Sequence, residues 1–72
     1  DGFDPSICPS VGTPEPGGLM WYPTLKFLKK VFTHCDVKGF DIVELNPKTE
    51  EDVTAYTMAQ LCYKLIGYKF CL

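Results

Sequence analysis

The sequence predicts a small α/β domain in the order loop, helix, strand, helix. Two stretches of helical periodicity, at about 22–34 and 50–67, flank a short apolar run at 40–45. A segment rich in proline and glycine, residues 1–19, precedes them. A chain of 72 residues has room for at most one small domain.

The opening segment is predicted to be a long, stiffened loop. Its first 18 residues hold four of the six prolines and four of the six glycines. Each proline fixes φ, lacks a backbone donor and pushes the preceding residue toward an extended form. Long ordered loops in compact domains usually carry function, so we expect this one to be functional.

The first helix is predicted at 22–34. Apolar residues recur on one face and lysines lie elsewhere: Trp21, Leu25, Leu28, Val31, Phe32 and Cys35 against Lys26, Lys29 and Lys30. Pro23 falls in the first turn, where its missing donor matters least. His34, the only histidine, falls at the C-terminal end, where a cation is mildly favoured. We therefore interpret His34 as a surface or capping residue and not as a metal ligand.

Residues 40–45 are predicted to form a buried parallel strand, because apolar side chains alternate onto both of its faces. These are Phe40 and Ile42 on one face and Val43 and Leu45 on the other. Asn46 and Pro47 end the strand. A buried strand needs neighbours on both edges, and the sequence contains no second convincing strand. We therefore expect the chain to be part of a larger sheet protein.

The second helix is predicted at 50–67. Thr49 offers an N-cap, and three acidic residues at 50–52 suit the positive first turn. The predicted packed stripe is Ala55, Met58, Ala59, Cys62, Leu65 and Ile66. The two alanines would allow a close approach to a sheet.

Composition excludes some classes of partner. The net charge is −2, with seven lysines and no arginine, so no basic field for nucleic acid is expected. No apolar run approaches the ~20 residues of a membrane span. The four cysteines show neither a paired CxxC motif nor zinc spacing. Two disulfides are one possibility, but free thiols in a reducing cytoplasm are favoured.

The opening loop also carries a family resemblance. Asp1, Pro5, Pro9, Ser10 and Gly18 fall in register on a signature with the spacing Asp, three residues, Pro, three residues, Pro, small residue, seven residues, Gly. This pattern resembles the second metal-binding signature of the ureohydrolases, the arginase and agmatinase family. The Ser and Asp that open that signature are absent here.

The resemblance implies a fold and an organisation. Residues 1–72 would be the C-terminal part of a single ureohydrolase domain with a three-layer α/β/α parallel sheet. Within it, 1–19 would be the metal-signature loop and 20–72 the helix, strand and helix. The partners implied are a small guanidino substrate, the rest of a longer chain and, since family members are commonly trimers or hexamers, further copies of the protein.

The resemblance also implies a chemistry, the hydrolysis of a guanidinium group to urea and an amine. The family uses two Mn²⁺ ions per active site to make a strong nucleophile from water. Asp1 matches the last carboxylate ligand of that centre. The family's histidines and other aspartates lie in segments before this one, so we expect this chain alone to be inactive.

Two further residues are assigned by the resemblance. Glu44, at the end of the predicted strand, matches a glutamate that accepts hydrogen bonds from the substrate guanidinium. Thr13 matches the threonine of the family's Gly-Thr-Pro, which lines the guanidinium pocket. Asp41 is interpreted as structural on the opposite face, and Asp4 as a cap of its Asp-Pro turn.

The choice of substrate stays open. The run from Gly12 to Leu19 looks more like agmatinases, whereas Glu44 to Pro47 resembles arginases. We expect an agmatinase, converting agmatine to putrescine in polyamine synthesis. An arginase, a formimidoylglutamase, or a non-catalytic truncated paralogue that acts as an interaction module are the alternatives.

Overall fold

Two helices form the framework of the computed structural model, which describes residues 1–49 and 52–71. Helix α1 runs from Trp21–His34 and helix α2 from Val53–Cys71. The predicted first helix is confirmed to within one residue. The second helix begins three residues later than predicted and ends four residues later. Residues 50 and 51 of that prediction lie outside the described part of the chain.

Helix α2 is capped by Asp52 and not by Thr49. The Asp52 Oδ1 atom accepts a hydrogen bond from the Ala55 backbone N–H at 3.0 Å, the geometry of an N-cap carboxylate. The Thr49 prediction was wrong because the helix begins three residues further along the chain. Asp52 is also the preferred cap chemically, because its negative charge lies at the positive end of the helix dipole.

The core is small and lies between the two helices and the loop. Leu25 of α1 and Leu61 and Leu65 of α2 are buried against each other. Partly buried side chains surround them: Phe3, Trp21, Leu28, Phe32, Ile42, Met58 and Tyr68. Phe32 and Tyr68 meet edge to face with ring centroids 6.1 Å apart, which joins the two helices near their C-terminal ends.

The described residues contain no β-strand, so the strand predicted at 40–45 is not formed in this chain. Among the described residues, this segment pairs only through an isolated antiparallel bridge between Leu45 and Val11. Glu44 has φ 70°, which is incompatible with a continuing strand. An extended segment needs partner strands for its backbone groups, and none lies within 1–49 or 52–71.

Helix α2 is apolar on two opposite faces. One face carries the buried Leu61 and Leu65. The other exposes large side chains that recur at heptad-like spacing: Val53, Tyr56, Tyr63 and Phe70. Of the predicted packed stripe, Met58 and Leu65 do reach the core, but Ala59 and Ile66 are exposed. The stripe was predicted against a sheet, and here the helix packs on α1 and the loop instead.

The remaining sequence predictions concern thiols, membranes and ion pairs. All four cysteines are free, and burial raises the pKa of the Cys8 thiol. Within the described ranges, neither helix is long and apolar enough to cross a membrane. Asp36 contacts Lys38 at 2.7 Å and Lys69 at 2.9 Å on the surface, where such pairs stabilise a fold only weakly.

Candidate functional site

The loop at 1–19 is closed upon itself. The Leu19 N–H donates to the Gly2 carbonyl at 2.8 Å, and the Asp4 N–H donates to the Leu19 carbonyl at 2.9 Å. Gly18 makes this closure possible, because a Cβ there would lie 2.7 Å from the Asp4 nitrogen and 2.8 Å from the Gly2 oxygen. The two ends of the loop therefore meet through backbone contacts that only glycine allows.

Asp4 is the internal anchor of this loop. Its Oδ2 accepts hydrogen bonds from the Ser6 N–H at 3.0 Å and the Ser6 hydroxyl at 2.6 Å. Its Oδ1 accepts from the N–H groups of Gly17 at 3.0 Å and Gly18 at 3.3 Å. The Ser6 hydroxyl is the largest cause that lowers the pKa of Asp4. Its predicted capping role is confirmed, and it extends to the far end of the loop.

The middle of the loop is fixed to the start of helix α2 through Ser10. The Ser10 hydroxyl donates to Asp52 Oδ2 at 2.6 Å, and its N–H donates to the Thr54 hydroxyl oxygen at 3.1 Å. All three residues are buried, and Thr54 is only 1% exposed. The Ser10 hydrogen bond is the largest cause that lowers the pKa of Asp52.

The segment that follows Glu44 is held by the same group of residues. The Asn46 N–H donates to the Ser10 carbonyl at 2.9 Å, and the Lys48 N–H donates to Asp52 Oδ2 at 3.1 Å. Three pieces of chain therefore converge on Ser10 and Asp52: the loop, the 44–48 segment and the first turn of α2. We call Ser10, Asp52 and Thr54 the buried latch.

Glu44 lies against the loop as a result. Its Oε2 atom is 3.3 Å from the position that a Cβ on Gly12 would occupy, and Gly12 precedes Thr13. Both Glu44 and Thr13 are exposed. The Glu44 carboxylate therefore lies close to Gly12, the residue before Thr13. Such a carboxylate accepts charge-assisted hydrogen bonds from a planar cation.

Asp1 lies in a neighbouring cleft of about 220 Å³. Asp41, Val43 and Leu45 line the same cleft, and Glu44 is not among its lining residues. Asp1 is exposed, and the structure does not bring its carboxylate into one cleft with Glu44.

The described residues do not complete a metal centre. No group of three or more His, Cys, Asp or Glu side chains within 1–49 and 52–71 is placed to hold an ion. Asp1 offers one hard oxygen donor of the kind that suits Mn²⁺. His34 is exposed in the last turn of α1, consistent with its interpretation as a surface residue. A manganese site would need further donors from outside these ranges.

Sequence reasoning missed the buried latch. Ser10 was used only as a small residue of the signature, and Asp52 only as one of three acidic residues near a helix start. The sequence did contain one signal. Asp52 lies three residues before Ala55, the spacing at which an N-cap side chain accepts a hydrogen bond from a helical N–H. Its partner is 42 residues away along the chain, beyond the reach of local patterns.

Comparison with known proteins agrees with the resemblance found in the loop. A model of the arginase family matches residues 1–67. The chain is 50% identical over 68 residues to an N(1)-aminopropylagmatine ureohydrolase of Synechocystis sp., covering 94% of the chain and 22% of that protein. It is 37% identical to an agmatinase of Pyrococcus horikoshii, over 93% of the chain and 24% of the relative. It is 35% identical to an arginase of Entamoeba histolytica, over 96% of the chain and 23% of that relative. No solved structure matches.

Proposed function

The chain belongs to the arginase family of ureohydrolases, and from that premise we propose that the protein carrying it hydrolyses a guanidino compound to urea and an amine. The chain spans less than a quarter of the Synechocystis relative that it matches, 22% of its length. We therefore refer the activity to a longer polypeptide, called the full-length protein below. The observation that carries the proposal is the exposed Glu44 carboxylate that lies against the signature loop at Gly12, the residue before Thr13.

Glu44 is proposed to bind the substrate. A guanidinium group is a planar cation with several N–H donors, and a carboxylate is its natural acceptor. The left-handed backbone of Glu44 supports this role, because a residue held at φ 70° is often found at a functional position. Thr13 is proposed to line the same pocket, because it is exposed and directly follows Gly12, which the Glu44 carboxylate approaches.

Asp1 is proposed to be one ligand of a binuclear manganese centre. Two Mn²⁺ ions, when bound, would supply an acidified water as the nucleophile at neutral pH. Asp1 contributes a carboxylate oxygen, and the remaining donors would come from the rest of the full-length protein. In this proposal, the chain presents Asp1 on a closed loop and holds Glu44 in place for the substrate.

Agmatine is the substrate we propose first, giving putrescine as the amine product. The Pyrococcus relative, an agmatinase, supports a decarboxylated substrate. N(1)-aminopropylagmatine is the second candidate, because the relative with 50% identity is an N(1)-aminopropylagmatine ureohydrolase. Arginine and formimidoylglutamate follow. All of these except the last share the same terminal guanidinium, so Glu44 has the same role for each.

The rest of the full-length protein is proposed to cover the exposed face of α2. The apolar character of both faces of α2 supports this, since a helix that is apolar all round is normally buried. The size of the matched relatives supports the same occupant, because about three quarters of the Synechocystis protein lies outside the match. We also propose a cytoplasmic homo-oligomer with the three-layer α/β/α fold.

A urea-release assay tests this function. Full-length protein is incubated with agmatine, N(1)-aminopropylagmatine, arginine or formimidoylglutamate after loading with Mn²⁺, and in parallel after chelation. Released urea or formamide is then measured. Release of urea from agmatine, dependent on Mn²⁺, is the expected result. Absence of any product from all four compounds would favour the non-catalytic interaction module.

A further inference from the structure

We propose that Asp52 is a positioning residue that holds the two substrate-binding arms, Thr13 with its loop and Glu44 with its segment, at a fixed separation. The inference rests on the function proposed above for Glu44 and Thr13. It concerns the carboxylate oxygen of Asp52 that does not cap helix α2.

The first observation is that Asp52 makes more hydrogen bonds than a helix cap requires. Oδ1 alone caps the helix, by accepting from Ala55. Oδ2 accepts from the Ser10 hydroxyl at 2.6 Å and from the Lys48 N–H at 3.1 Å. One oxygen therefore serves the helix, and the other joins two segments that are distant in sequence.

The second observation is where those two segments lead. Ser10 is two residues before Gly12, and Lys48 is four residues after Glu44. The arms are also joined directly, because the Asn46 N–H donates to the Ser10 carbonyl at 2.9 Å. A displacement of Asp52 Oδ2 is thereby transmitted to both sides of the 3.3 Å approach between Glu44 and Gly12.

The third observation is chemical. An ionised carboxylate only accepts hydrogen bonds, and Asp52 receives hydrogen bonds on both of its oxygens. Asparagine has one accepting oxygen and an NH₂ group that donates. In Asp52→Asn, either the cap or the contact to the Lys48 N–H loses its acceptor. Asparagine is as good an N-cap as aspartate, so the helix start can be retained while the positioning contact is lost.

Kinetics of the full-length protein test the proposal. We expect Asp52→Asn to lower kcat/KM for agmatine on the order of tenfold, mainly through a higher KM, with Mn²⁺ content unchanged. Ser10→Ala should act in the same direction. Since both alter the contact between Ser10 and residue 52, the double variant should lose less than the product of the two single effects. Asp36→Asn, a surface aspartate with two lysine partners, is the matched control.

A second measurement does not depend on the enzymatic activity of the protein. Hydrogen exchange followed by mass spectrometry compares the full-length protein with its Asp52→Asn variant, in segments 10–13, 44–48 and α2. Roughly tenfold faster exchange in both arms, with α2 protected as before, supports the positioning role.

Two results would overturn it. One is unchanged exchange in both arms of Asp52→Asn. The other is faster exchange confined to α2, together with a normal KM in the Asp52→Asn variant, which would leave Asp52 as a helix cap only. If the unaltered protein releases no urea, the proposed function fails, and the exchange experiment still decides whether Asp52 holds the two arms.

Discussion

The Oε2 atom of Glu44 lies 3.3 Å from the point where a side chain on Gly12 would place its Cβ. The missing side chain of Gly12 therefore leaves room for the carboxylate beside the signature loop. Glu44 reaches this place with φ 70°, a conformation that non-glycine residues adopt rarely. The contact connects the two parts of the chain that carry the family resemblance.

Gly12→Ala is expected to weaken substrate binding without unfolding the protein. The new Cβ would contact the end of the flexible Glu44 side chain, which must shift by a few tenths of an ångström. We expect KM for agmatine in the full-length protein to rise roughly 3- to 10-fold, equivalent to about 1 kcal/mol, with little change in the melting temperature. Gly39→Ala is the control, because nothing lies within 4 Å of its Cβ position. Equal KM values in the two variants would contradict the placement of Glu44.

Gly18→Ala is expected to destabilise the loop. Its Cβ would lie 2.7–2.8 Å from backbone atoms of residues 2–4, which cannot rotate away as a side chain does. We expect the free energy of unfolding to fall by about 1–3 kcal/mol and Mn²⁺ affinity to fall with it, because Asp1 lies at that end of the loop. Urea denaturation and metal titration measure the two effects. Gly2→Ala has open space at its Cβ, so it should change neither quantity.

The hydrogen bonds of the buried latch predict that the free energy of unfolding depends on pH. The pKa of Asp52 is lowered, chiefly by the Ser10 hydroxyl, so its ionised form is favoured in the folded protein. A lowered folded pKa contributes stability that is present above the ordinary aspartate value and is lost as the pH falls through the folded value. We expect the difference in unfolding free energy between the unaltered protein and Asp52→Asn to be constant above about pH 5 and to narrow below about pH 4. A difference that stays constant down to about pH 2 would contradict the assignment.

The exposed apolar face of helix α2 leads to a separate prediction about the rest of the full-length protein. Tyr63 is 77% exposed in this chain, and covering it would remove most of that surface from water. If the full-length protein covers this face, Tyr63→Ser should lower its unfolding free energy by about 1.5–3 kcal/mol. The exposed Lys26→Ser on α1 is the control. A change within about 0.5 kcal/mol for both variants would mean that the face stays in solvent.

Local patterns predicted the parts of the structure that depend on local physics. The helix at 22–34 follows from periodicity and from Pro23 in the first turn, and the Asp4 cap from its position before a proline. The loop resemblance rests on fixed spacing from Asp1 to Gly18, and the family match over residues 1–67 confirms it.

The errors are those that depend on distant partners. Residues 40–45 have the composition of a buried strand, but a strand forms only where neighbouring strands accept its backbone hydrogen bonds. Thr49 and Asp52 both suit an N-cap, and the choice of Asp52 goes with its contact to Ser10, 42 residues away. The face of α2 that packs inward was likewise set by α1 and the loop, which a single helix pattern does not specify.

Two substitutions in the full-length protein, compared side by side, test the central claim that this chain supplies one substrate-binding carboxylate and one metal ligand. Mn²⁺ content and steady-state kinetics with agmatine are measured for Glu44→Gln and for Asp1→Asn. We predict that Glu44→Gln keeps its Mn²⁺ and loses at least about tenfold in kcat/KM, since a charge-assisted hydrogen bond contributes about 1.5–3 kcal/mol. Asp1→Asn should lose Mn²⁺ and activity together. Equal loss of metal in both variants, or full activity in Glu44→Gln, would contradict the account.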